Sequence, residues 1–166
     1  MYQAVTQFSK MLRNLDNWIV KAEAHAKTKN FDPETLVQAR LAPDMYPLVK
    51  QVQAACDSAK FSAAYMTGKE APSHADTETT LEQIHARIHT VLAHLETYTE
   101  KDFEGWADRK VSPKWLAGKW MRGDVYLFQA GIPNFYFHVT TAYDILRHNG
   151  VDVGKMDFMG NVPTQG

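Results

Sequence analysis

The chain has 166 residues, 18 Lys+Arg against 19 Asp+Glu, a net charge of −1 and 45% hydrophobic residues. That length fits one domain, read here as 1–166, with a core large enough to fold without covalent staples. The single cysteine, Cys56, excludes an internal disulfide framework, and the missing basic excess argues against a dedicated nucleic-acid binder.

Residues 2–27 carry the clearest pattern. Val5, Phe8, Leu12, Leu15, Ile19, Ala22 and Ala26 recur at steps of three and four, which predicts a long amphipathic helix with one buried face. Asp32-Pro33 then suits the start of a short helix over 33–40. A second long helix is expected over 44–67, capped by Asp44, with Pro47 in its first turn and Gly68 as its stop. Its stripe holds the small residues Ala55, Cys56 and Ala59, which favour close helix packing. Thr79-x-x-Glu82 reads as a capping box opening a third helix over 78–98. Residues 99–123 lose the helical period and crowd Phe103, Trp106, Trp115 and Trp120 together. They predict an irregular or hairpin insert with its tryptophans packed on the bundle. Asp124 caps a last helix over 124–149, disturbed early by Gly131 and Pro133 and stopped by Asn149-Gly150. The tail 151–166 is expected to be extended. Four amphipathic helices with one broad apolar stripe each make an all-α four-helix bundle.

Val125 to Tyr143 is a run of 19 residues without Lys, Arg, Asp or Glu. Its Gln129, Asn134, His138, Gly131 and Pro133 fit a buried helix with a broken start, not a membrane span. Met1–Thr6 lacks a basic region leading into an apolar one, so the expected location is the cytoplasm.

Several short motifs reduce to ordinary structure. Arg122-Gly123-Asp124 reads as a turn before the last helix, and Gly150-x-x-x-Gly154-Lys155 lacks phosphate-loop spacing. Cys56 falls on a buried stripe as an inert small hydrophobe. His85-x-x-x-His89 has the spacing of a chelating pair. The pair borders the core and leans outward, and no third ligand is near in sequence. On the last helix, Asn134 and His138 lie one turn apart on the same side, about 40° from each other, at the edge of the arc of Phe135, Val139, Ala142 and Ile145. A buried imidazole and amide need partners, either within the core or in the floor of a ligand pocket.

The helix order, the aromatic-rich insert and the closing Leu146-Arg147-x-x-Gly150 resemble the DinB/YfiT-like four-helix bundles. The fuller run Pro133–Gly150 followed by Gly154-Lys155 resembles a bacterial branch known only as a domain of unknown function. In metal-binding members three histidines hold a divalent ion. The resemblance carries those positions to Gln51, Asn134 and His138. Amide oxygens are poor ligands for zinc or nickel, so the expectation is a site without metal or other cofactor, in which the three side chains form a hydrogen-bonded cluster. The resemblance implies a dimeric bundle that is non-catalytic or binds a small polar ligand. The alternative is a metal-dependent or His138-based small-molecule transferase or hydrolase. Phe137, opposite the apolar arc, is expected either to make a subunit contact in that dimer or to be covered by the C-terminal tail.

Overall fold

The computed structural model describes residues 1–165. Its long helices are α1 (Tyr2–Lys29), α2 (Leu48–Thr67), α3 (Leu81–Glu96) and, after a short α4 (Gly123–Tyr126), α5 (Ile132–His148). Each buries the stripe its sequence presents. α2 makes its most extensive contact with α5 and also packs on α3, while α1 lies against α3 and α5. The architecture is the expected all-α bundle. Phe8 of α1 meets Phe135 of α5 at its centre, ring centroids 4.5 Å apart.

Helix ends depart from the sequence reading where proline or capping chemistry intervenes. α2 starts at Leu48, not at residue 44, with Pro47 as its N-cap residue. A residue before proline is pushed out of the α region, so Tyr46 cannot belong to the helix. Asp44 therefore caps nothing. The cap of α3 lies one residue later than expected: Thr80 Oγ1 accepts from Gln83 N at 3.2 Å, and Thr79 N donates to Gln83 Oε1 at 2.7 Å. Pro33–Gln38 winds as a 3₁₀ helix capped by the Asp32 side chain.

The insert is a small hairpin, β1 (Lys110–Val111) antiparallel to β2 (Met121–Arg122), flanked by 3₁₀ turns. Phe103 is buried and Trp106 half-buried, but Trp115 and Trp120 are 64% and 53% exposed. The expectation that the insert buries its tryptophans is therefore wrong for these two, because the hairpin loop carries them off the bundle. Helix α4 begins at Gly123, so Asp124 sits in its first turn and is not its cap. Between α4 and α5 the chain winds as a π-helix over Leu127–Gly131. Pro133 has no N–H to continue the α ladder, and Gly131 lets this turn approach α2: a Cβ there would lie 2.9 Å from Ser62 Oγ.

The tail does not stay extended. Val151 and Val153 are fully buried and lead into α6 (Lys155–Met159). Phe158 stacks on Trp18 with centroids 5.4 Å apart, and Trp18 Nε1 donates to Asp157 O at 3.1 Å. The sequence reading missed this because five helical residues carry no measurable period.

Candidate functional site

His138 of α5 is buried, and its Nδ1 lies 2.8 Å from Gln51 Oε1 of α2. Gln51 in turn donates from Nε2 to Tyr46 O at 3.1 Å. With Oε1 as acceptor, Nδ1 carries the imidazole proton and Nε2 is left unprotonated. Burial lowers the His138 pKa below the ordinary imidazole value, so the ring is neutral at pH 7.

Asn134 does not join this pair. Its Nδ2 donates to Ser58 Oγ at 2.6 Å, and Ser58 donates to Ala54 O at 2.7 Å. The two contacts pair His138 with Gln51 and Asn134 with Ser58, so α5 runs antiparallel to α2 and each polar residue meets its own partner. The expected three-residue cluster is a two-residue pair with a neighbouring amide–hydroxyl pair one turn away. Helical spacing puts Asn134 and His138 on a common side. That spacing does not reveal that Ser58, not Gln51, is the residue of α2 that meets Asn134.

This donor set does not fit a resident divalent metal of the kind the fold family uses. Two of its three positions are amides, poor ligands for such an ion, and the Gln51 amide oxygen is already spent accepting from His138 Nδ1. Among the described residues no group of three or more His, Cys, Asp and Glu side chains is placed to hold a metal ion. Changing Gln51 and Asn134 together to histidine should restore an all-imidazole set. Isothermal titration should then show zinc binding that the parent protein lacks. Changing His138 to alanine should cost about 1–3 kcal/mol, because Gln51 Oε1 would be left buried without a donor. Urea unfolding would measure that loss.

Beside Asn134 opens a cleft of about 610 Å³ lined by Trp115, Tyr126, Gln129, Pro133, Asn134 and Phe137. The insert supplies Trp115, and the α4–α5 segment with its π-turn supplies the rest. Among the described residues no charged side chain lines it. His138 is outside its lining, on the α2 side of α5.

A second cluster was invisible to periodicity. Lys60 of α2 and Arg87 of α3 are 1% and 4% exposed. Lys60 Nζ lies 2.8 Å from Asp57 and 2.7 Å from His74 Nδ1. Arg87 reaches Asp57, Asp76 and Glu78 at 2.8, 2.9 and 3.1 Å. Cys56 lies beneath, its thiol pushed up to about 12 by burial despite the nearby cations. The available signal was positional. Lys60 falls on the Cys56–Ala59–Ala63 stripe, and Arg87 sits between Ile84, Ile88 and Val91.

The His85/His89 pair finds its acidic partner on α1. Asp16 contacts His85 Nδ1 at 2.5 Å and His89 Nε2 at 2.9 Å. Burial tends to raise the Asp16 pKa, but hydrogen bonds from both histidines outweigh it and leave it lowered; the same contact raises that of His85. The carboxylate takes one ring nitrogen of each histidine.

Fold and site together define an all-α bundle of the DinB-like class. The crystal structure of a DinB family member protein from Shewanella denitrificans matches it with a TM-score of 0.94 at 48% identity, covering 98% of this chain and 92% of that one. Over residues 1–159 the sequence matches the family described as "Domain of unknown function (DUF1993)", and the chain belongs to that family. No curated protein matches the chain.

Proposed function

We propose that this protein is a small-ligand-binding, dimeric DinB-like bundle whose superfamily metal site has been replaced by the Gln51–His138 and Asn134–Ser58 pairs. The observation that carries the reading is the cleft of about 610 Å³ that Asn134 opens onto. Three aromatic rings supply contact area there, while Asn134 and Gln129 supply polar anchors, the usual make-up of a small-molecule pocket. Asn134 spends one donor on Ser58 and keeps its carbonyl oxygen for a ligand. The ligand is thus a small molecule with both an apolar face and hydrogen-bonding groups. Binding is favoured over His138 chemistry because the imidazole does not line the cleft. Phe137 at 57% exposure, with Phe128 at 60% and Val125 at 43%, supports an interface between two copies along the α4–α5 face. A cytoplasmic setting accords with the one free and buried cysteine.

Trp115 makes the binding test direct. Titration with a library of small polar and aromatic compounds should quench or shift tryptophan fluorescence, and the Asn134→Ala variant should lose the response. A cleft that takes no compound at millimolar concentration would sink the binding reading. Sedimentation of a Phe128→Glu/Phe137→Glu variant against the parent tests the dimer; a parent that is monomeric at tens of micromolar removes it.

A further inference from the structure

Residues 69–80 cross the α2–α3 face without helix or strand, yet they are pinned along their length. Lys69 pairs with Asp102 at 2.6 Å. Asp76 and Glu78 pair with Arg87, and Glu78 also accepts from Gln53 Nε2 at 2.6 Å. The remaining tie differs in kind. His74 Nδ1 lies 2.7 Å from the Nζ of Lys60, whose side chain is 2% exposed. An ammonium has three donors and no acceptor, so Nδ1 must accept, and only a neutral imidazole with its proton on Nε2 can do that.

The groups around His74 come from three elements. α2 contributes Lys60 and Asp57, with Cys56 beneath; α3 contributes Arg87; the segment itself contributes Glu78 and Asp76. His94 of α3 also lies within the field of Lys60. Burial, then the Arg87 and Lys60 cations, hold His74 below the ordinary imidazole range, and Asp57 and Glu78 oppose them only in part.

We propose that residues 69–80 form an acid-released strap: protonation of His74 sets an imidazolium against the buried Lys60 ammonium, and the segment lifts from α2 and α3. Asp76 of the strap is one wall of a second cleft, of about 520 Å³, whose other side holds Tyr46, Lys50, Gln53 and Asp57. Lifting the strap removes that wall and bares Lys60.

The sign follows from linkage. With its pKa lowered in the closed form, His74 favours closure fully above the ordinary value near 6.5. That contribution is lost as pH falls from about 6.5 toward the lowered value. Within this window the opening constant rises as pH falls, by at most about tenfold per pH unit, since opening takes up one proton.

Hydrogen exchange of the 69–80 amides, normalised for intrinsic rates, tests the strap between pH 7 and pH 5. The parent protein should lose protection as pH falls. His74→Gln, which keeps an acceptor for Lys60 but cannot titrate, should hold constant protection across the window. A parent without pH dependence, or a variant with the parent's slope, would overturn the proposal. Should the variant fold poorly, the imidazole resonances of His74 in the parent decide: a native pKa at or above 6.5 also overturns it.

Discussion

Replacing Arg87 by alanine should lower stability by about 3–5 kcal/mol, the cost of stripping a buried cation from its partners. The guanidinium is 2% exposed at its side chain and contacts Asp57, Asp76 and Glu78 within 3.1 Å. Removing it leaves three carboxylates close together, with only Lys60 to offset them through Asp57. The geometry is not one of maximal stability: Arg87 Nε is buried without a partner among the described residues. A buried network with an orphaned donor is weaker than its ion count suggests. For that reason Arg87→Met combined with Glu78→Gln should recover part of the loss, by substituting packing for an imperfect network. Urea unfolding of the parent and both variants measures this. The control is the Arg13–Glu96 pair, 2.6 Å apart but 51% and 62% exposed. Changing Glu96 to alanine should cost no more than about 1 kcal/mol. A buried-network variant no less stable than the Glu96 variant would mean that the strap, not the ions, holds the α2–α3 face.

The contrast between the two sites explains what the sequence could and could not convey. Helical period is a property of neighbouring residues, so the buried faces of α1, α2, α3 and α5 were legible, down to Phe135, Val139 and Ala142 in the core. The local chemistry that trims a helix was less so. Pro47 and Thr80 moved two helix starts because backbone sterics and one hydrogen bond outweigh an apolar pattern at its edges. Partners far apart in the chain were not legible at all. Ser58 lies 76 positions from Asn134, and Asp16 lies 69 from His85. Gln51 was reached only through the family resemblance, and its contact with His138 spans 87 positions. Lys60 and Arg87 carry a different lesson. A cation on an apolar stripe reads as a break in the pattern, yet Asp57 of α2, with His74 at Lys60 and with Asp76 and Glu78 at Arg87, turned both into buried centres. Residues 69–76 carry no apolar period, and their partners, Lys60 of α2, Arg87 of α3 and Asp102 of the insert, lie on other elements.

Gly123→Ala should be as damaging as the loss of Arg87, for a purely steric reason. A Cβ at this position would lie 1.9 Å from the carbonyl oxygen of Trp106 and 3.3 Å from the sulfur of Met66. The first contact is with backbone, which cannot rotate away, so either the 3₁₀ turn Trp106–Asp108 or the start of α4 must move. Overpacking of this kind costs about 1–3 kcal/mol where side chains can yield, and more where backbone must. Gly118 is the matching control, with φ +86° and nothing within 4 Å of an added Cβ. Its change to alanine meets only the left-handed backbone penalty, about 1 kcal/mol. Thermal unfolding should therefore separate the two variants clearly, and equal losses would refute the clash. The position also bears on the cleft. Gly123 is where the insert, which brings Trp115, closes against the segment that brings Tyr126, Gln129 and Asn134. Pushing the two apart widens the cleft without touching a residue that lines it. Gly123→Ala protein that remains folded should bind cleft ligands more weakly than Gly118→Ala protein, with the deficit read in the same tryptophan titration. Equal affinity in the two variants would show that the insert and the α4–α5 segment are positioned independently of this contact.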